Sequence, residues 1–161
     1  MEKNLNTFTR EGNQVIHTRL LKAPRDLVWE VWTMPQHIKE WWGPMGFSVT
    51  NESMEVKPGG VWKFIMHGMG RNFPNFIKFE RVEKPSLLSF RNGAPDDKYG
   101  FESIVTFEER GSNTLLTFKS IFSSAEVLDE LNRTVNAIEG GKQTLYRMES
   151  YLNDQLQNKQ L

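Results

Sequence analysis

The chain contains no cysteine, which excludes disulfide staples, thiolate nucleophiles and cysteine-held metals. Net charge is absent too. Twenty basic residues balance twenty acidic ones with no block of one sign, so nothing in the composition draws in nucleic acid or an anionic membrane. No apolar run approaches the length that spans a bilayer. The opening stretch MEKNLNTFTREGNQ lacks the hydrophobic segment of a secretory signal. A cytoplasmic chain without membrane insertion is the expectation, folded as one domain over residues 1–161 with its core at about 15–157.

Catalytic signatures are equally sparse. His17, His37 and His67 fall on different predicted elements, and none has a His or Glu partner one helical turn away. No metal is therefore expected, and all three are assigned surface or capping roles. There is no Gly-x-Ser-x-Gly elbow, and Ser89, Ser103 and Ser120 sit inside predicted strands without an evident base. PGGVWKF and HGMGRNF lack the Lys-Ser/Thr ending of a phosphate loop and read as hairpin turns. No cofactor is implied.

What the chain does have is rings, 11 Phe and 5 Trp. Such side chains supply much apolar area each, and they either fill a dry core or wall an enclosure. Their arrangement follows from periodicity. QVIHTRLLKAP reads as a strand with Ile16, Thr18 and Leu20 on one face. A short helix follows, with Pro24 at its start and Leu27, Val28, Val31 and Trp32 as its apolar stripe. HIKEWW then adds another turn or two before Gly43-Pro44. From Phe47 to Phe122 come six short alternating segments separated by turn signals, the pattern of an antiparallel meander. Trp62, Phe64 and Met66 share one face, as do Phe101, Ser103, Val105 and Phe107. The end of the chain is helical. Ser124 is the expected N-cap, a break is expected at Gly140-Gly141, and the main helix runs from about Gly140 to Gln157.

Two adjacent indoles, Trp41 and Trp42, diverge by about 100° on a helix and cannot both enter one core. The pair is placed at the lip of an interior, with Trp42 inward and Trp41 more exposed.

APRDLVWEVWTMPQHIKEWWGP, VKPGGVWKF, RVEKPSLLSF and GGKQTLYRMESYL resemble the START-like helix-grip (SRPBCC) superfamily. Within it the chain is similar to the branch of homologues of the activator of the heat-shock-protein-ninety ATPase. The resemblance runs from about Val15 to Leu156. It implies an α+β helix-grip fold: a curved antiparallel sheet of six to seven strands wrapped around a long C-terminal helix, with two short helices after the first strand. It also implies a cavity for apolar or amphipathic small molecules. Two departures stand out. Glu55 occupies the place ahead of PGG where relatives often carry Asp, and Gly141 stands where many carry Trp, which suggests extra interior space. The family's namesake acts on a chaperone in the stress response, but this chain is expected to be without the additional chaperone-binding region.

The expected function is thus binding of a hydrophobic small molecule. The ligand-binding candidates are Trp32, Trp41, Trp42, Phe47, Trp62, Phe64, Met66, Phe79, Phe101, Phe107, Phe118, Gly141, Leu145 and Met148. Two alternatives remain open. One is cyclase- or lyase-type acid–base catalysis drawing on Glu80, Glu102, Arg71, Arg91 or His67, although strand parity turns Glu80, Glu102 and His67 toward water. The other is a chaperone-interacting module. No catalytic residue is assigned.

Overall fold

Alternation of large apolar and polar side chains between Gln14 and Phe122 organises seven strands into one sheet, and an eighth, mostly exposed, adds to its edge. The computed structural model describes residues 5–159, so residues 1–4 and 160–161 of the expected domain lie outside the described part. The elements are β1 (Thr7–Glu11), β2 (Gln14–Leu21), α1 (Arg25–Thr33), α2 (Pro35–Ile38), β3 (Ser48–Met54), β4 (Val61–Gly68), β5 (Arg71–Glu83), β6 (Leu87–Asn92), β7 (Phe101–Arg110), β8 (Asn113–Phe122), α3 (Ala125–Val135) and α4 (Ala137–Lys159). The strand order is β1-β2-β8-β7-β6-β5-β4-β3. Neighbours are antiparallel throughout, so the meander β3–β8 is closed by β2 pairing with β8, His17 opposite Phe118. The curved sheet and long C-terminal helix make a helix-grip fold.

One strand more than expected is present. β1 lies in the polar N-terminal stretch and leaves Thr7, Thr9, Arg10 and Glu11 exposed, with only Phe8 half-buried. Backbone pairing to β2 holds it, through a turn in which Gly12 has φ 61°. A strand with so little to bury writes no alternation into the sequence. On β2, Ile16, Thr18 and Leu20 do share a face, but Val15, His17 and Leu21 are the buried side.

The helical break also falls elsewhere. Asn136 adopts the left-handed conformation, φ 54°, and ends α3, with its N–H donating to the Asn132 carbonyl. Asparagine tolerates that region better than most residues. Gly140 and Gly141 instead lie inside α4, so the main helix starts at Ala137. At the other end of α3, Ser124 caps as expected, its Oγ accepting from the Val127 N–H at 3.1 Å.

Two apolar clusters result. The larger joins α1, α2 and the Leu145–Met148–Leu152 stripe of α4 to the aromatic face of the sheet. The smaller joins Val15, Phe122 and Leu128, with Phe8, Phe101, Leu131 and Ile138 packed against them.

Candidate functional site

The two clusters do not meet. Along α4, Leu145, Met148 and Leu152 are at most 1% exposed and seal one end of the sheet. In the two turns before Leu145 the same helix offers Ala137, Gly141 and Thr144, which are too short to fill the gap. A cavity of about 370 Å³ remains there. Its walls are Phe64, Met66 and Ile77 from β4 and β5, Phe101, Phe118 and Phe122 from β7 and β8, Val15 from β2, and Leu128, Leu131 and Ile138 from the helices. Trp42, Gly43 and Pro44 border it on one side, and Gly93, Asp97, Tyr99 and Gly100 on another.

Six of the fourteen expected residues line this space: Trp42, Phe64, Met66, Phe101, Phe118 and Gly141. Seven others, Trp32, Trp41, Trp62, Phe79, Phe107, Leu145 and Met148, are no more than 2% exposed within the larger core. They do not line the cavity because α1 and α2 close that end of the sheet. There Trp32 packs edge-on against Trp41 at 4.8 Å and Phe118 at 5.4 Å, while Trp62 stacks on Phe64 at 3.9 Å. Phe47 lies over Gly68, where a Cβ would approach its ring to 2.5 Å, and it does not line the cavity either.

The relative exposure of the two indoles is the reverse of the expectation. Trp41 is fully buried, and its Nε1 donates to the Val31 carbonyl at 3.1 Å. Trp42 is half-buried and faces the cavity. α2 ends at Ile38, so the indoles follow it in a turn. The turn carries Trp41 under α1 and leaves Trp42 at the border.

Polar groups missed by the sequence reading cross the cavity wall. His17 is 6% exposed and not a surface histidine. Its Nε2 lies 3.6 Å from where a Cβ on Gly141 would stand. The ring lies between Phe8, at 5.0 Å, and Phe118, at 6.3 Å. Burial first, then the charges of Arg19 and Lys142, lower its pKa to about 4, so the imidazole is neutral at neutral pH. Asn92 donates to the Phe101 carbonyl at 3.1 Å and to Ser103 Oγ at 3.0 Å, and Ser103 Oγ lies 3.4 Å from Ser120 Oγ. The available signal was parity: His17 shares a face with Val15, on which the neighbouring β8 presents Phe118 and Ser120.

The rim is pinned by polar latches. Arg147 of α4 donates to the carbonyls of Glu40, Trp42, Gly43 and Pro44 at 2.9–3.4 Å. Tyr99 Oη donates to Glu130 Oε1 of α3 at 2.8 Å, and Arg91 holds the carbonyls of Ala94, Pro95 and Asp97.

With this geometry in view, the profile of the family described as Activator of Hsp90 ATPase homolog 1-like protein matches residues 22–153. The chain belongs to that family. Solved structures resemble this Activator of Hsp90 ATPase homolog 1-like chain over nearly its whole length. A protein from Arthrobacter aurescens has TM-score 0.86 at 23% identity, covering 94% of this chain and 93% of that one. One from Mycobacterium smegmatis has TM-score 0.80 at 21% identity, covering 92% and 98%. One from Nitrosomonas europaea has TM-score 0.78 at 22% identity, covering 88% and 95%. At these identities the likeness establishes the fold. Among curated proteins, no sequence matches this chain.

In this family member the remaining titratable candidates stand outside the cavity. Glu80 is exposed, and its hydrogen bond to Glu102, followed by partial burial, raises its pKa to about 7. Glu102 pairs with Arg91 at 3.3 Å on the face opposite Phe101 and Ser103. His67 bonds Thr50 and Asn72, each at 2.7 Å, while His37 meets Tyr151 Oη at 2.6 Å. Among the described residues no helix is long and apolar enough to cross a membrane.

Proposed function

We propose that this chain binds an apolar or amphipathic small molecule in the cavity between the sheet and the helices α3 and α4, and does not transform it. One observation carries the reading. A space of about 370 Å³ is walled by aromatic and aliphatic side chains and interrupted by a few uncharged polar groups, His17, Asn92 and Ser120. That is the composition of small-molecule sites. Atoms around an unfilled space forgo dispersion contacts that a ligand restores. Of the large apolar side chains left exposed, Phe76 and Val135 border this same cavity.

Turnover is less well supported than binding. An acid–base reaction needs proton donor and acceptor groups on the substrate. A histidine with its pKa near 4 is a weak base at neutral pH, and the one carboxylate bordering the space, Asp97, is exposed at the rim. The test is a panel of lipids and flavonoid-like or polyketide-like ring compounds, read by tryptophan fluorescence and protein NMR. Saturable quenching with shifts at Trp42, Met66 and Phe118 is expected. A broad panel that leaves the spectrum unmoved overturns the reading.

A further inference from the structure

The wall of the cavity is not uniformly apolar, and its polar part has unused hydrogen-bonding capacity. His17 is 94% buried (6% exposed), yet neither ring nitrogen makes a hydrogen bond to any described residue. Neither nitrogen is among the fully buried unpartnered side-chain atoms of the described residues, which are Arg25 Nε and Trp32 Nε1, so the ring edge is open to the cavity, where a matching group can hydrogen-bond it. Its neighbours on either side are the rings of Phe8 and Phe118, which offer no strong acceptor. The open approach is from α4, where Gly141 presents no side chain and Nε2 looks toward the position a Cβ would take at 3.6 Å. Ser120, one pair along β8 from Phe118, lines the same wall.

We infer that the cavity's ligand carries an uncharged hydroxyl, phenolic or alcoholic, seated against His17 Nε2 in the gap left by Gly141, with its apolar body among Phe64, Met66 and Phe118. This rests on the proposed binding function and specifies the ligand class. A neutral imidazole has one N–H and one bare nitrogen, and which of them is Nε2 is set by tautomer. A hydroxyl both donates and accepts, so it satisfies either tautomer, whereas an ether only accepts. A carboxylate fits poorly. Arg19 and Lys142 act on His17 at longer range but do not line the cavity. Arg19 pairs with Glu149, and Lys142 lies over the Phe8 ring at 4.3 Å. An anion would be desolvated with no cation touching it. Asp97 at the rim disfavours it further.

The experiment titrates the full chain at pH 7.5 with four probes of one shape: 4-phenylphenol, 4-methoxybiphenyl, biphenyl and biphenyl-4-carboxylate. Readouts are calorimetry and the ¹⁵N shifts of the His17 ring. 4-Phenylphenol is expected to bind about five- to tenfold more tightly than biphenyl, the yield of about one net hydrogen bond, and to move the Nε2 resonance, while the ether's affinity reports whether Nε2 carries the proton. In His17→Leu the ratio of 4-phenylphenol to biphenyl affinity should fall to about one, whatever the change in either affinity, and His17→Gln should keep part of the preference. Equal affinity for phenol and biphenyl, or a preference that survives in His17→Leu, overturns the inference while leaving the binding function standing. Tighter binding of the carboxylate overturns it in favour of an anion. If none of the four binds and the panel above also fails, the proposed function falls with it.

Discussion

Gly141 of α4 stands opposite His17 of β2, so close that a single methyl group at 141 would rest 3.6 Å from Nε2. That distance is ordinary van der Waals contact. Gly141 is also inside a helix, where glycine costs about 0.5–1 kcal/mol relative to alanine. Gly141→Ala is therefore expected to raise the melting temperature by about 2–4 °C while weakening ligands that reach His17. Gly141→Trp should keep the fold and abolish uptake by filling the space. Thermal melts beside a binding titration decide it. A Gly141→Ala protein that melts lower, or a stable Gly141→Trp protein with unchanged affinity, would show that the position does not bound a binding site.

The buried imidazole makes stability depend on pH with a definite sign. The folded-state pKa of His17 is depressed from 6.5 to about 4. Between those values the unfolded chain takes up a proton that the folded chain refuses, so stability is lost as pH falls through that window. Arg19 on its own strand and Lys142 on α4 push in the same direction as burial, and the facing rings of Phe8 and Phe118 carry no charge. Glu80 acts oppositely. Its pKa is raised from 4.5 to about 7, so its contribution is present below 4.5 and lost as pH rises through 7. Urea unfolding of wild type and His17→Leu from pH 4 to 8 separates the two. The variant should gain on the wild type as the pH is lowered below 6.5; a constant difference across the range would remove His17 as the cause.

The consecutive indoles should separate stability from binding. Trp41 is fully buried and hydrogen-bonded to Val31, so Trp41→Ala is expected to cost about 3–5 kcal/mol. Trp42→Ala should cost less stability but weaken ligand binding several-fold. Denaturant midpoints and titrations of both variants check this, and a reversed order would place the cavity border elsewhere.

Arg147 holds four carbonyls of the segment that carries Trp42. Removing the guanidinium leaves those acceptors to solvent, and Arg147→Met is expected to cost about 1.5–3 kcal/mol. Hydrogen exchange should quicken at residues 40–47. Arg147→Lys should restore little, because a compact ammonium cannot span the set of acceptors that a planar guanidinium reaches. Unchanged exchange in that segment would mean that packing alone positions Trp42.

The local rules of the chain were sufficient for most of its elements. The meander's alternation, the Ser124 cap and the apolar stripe of α1 depend on neighbours in sequence, and the family motifs set their order. β1 was illegible because a strand held by backbone pairing, with four of its five side chains exposed, leaves no pattern. The cavity was legible only in part. Strand parity identifies which rings point inward, and Phe64, Met66, Phe101 and Phe118 line the cavity. It cannot tell an inward ring that meets a helix from one that meets a gap. That difference arises where α1 and α2 cover one end of the sheet and where α4 changes from Leu145 and Met148 to Ala137 and Gly141. The role of His17 is likewise tertiary. Its environment comes from Phe8, Phe118, Arg19 and Lys142, contributed by β1, β8, β2 and α4, and only their convergence makes a histidine buried, neutral and unpartnered.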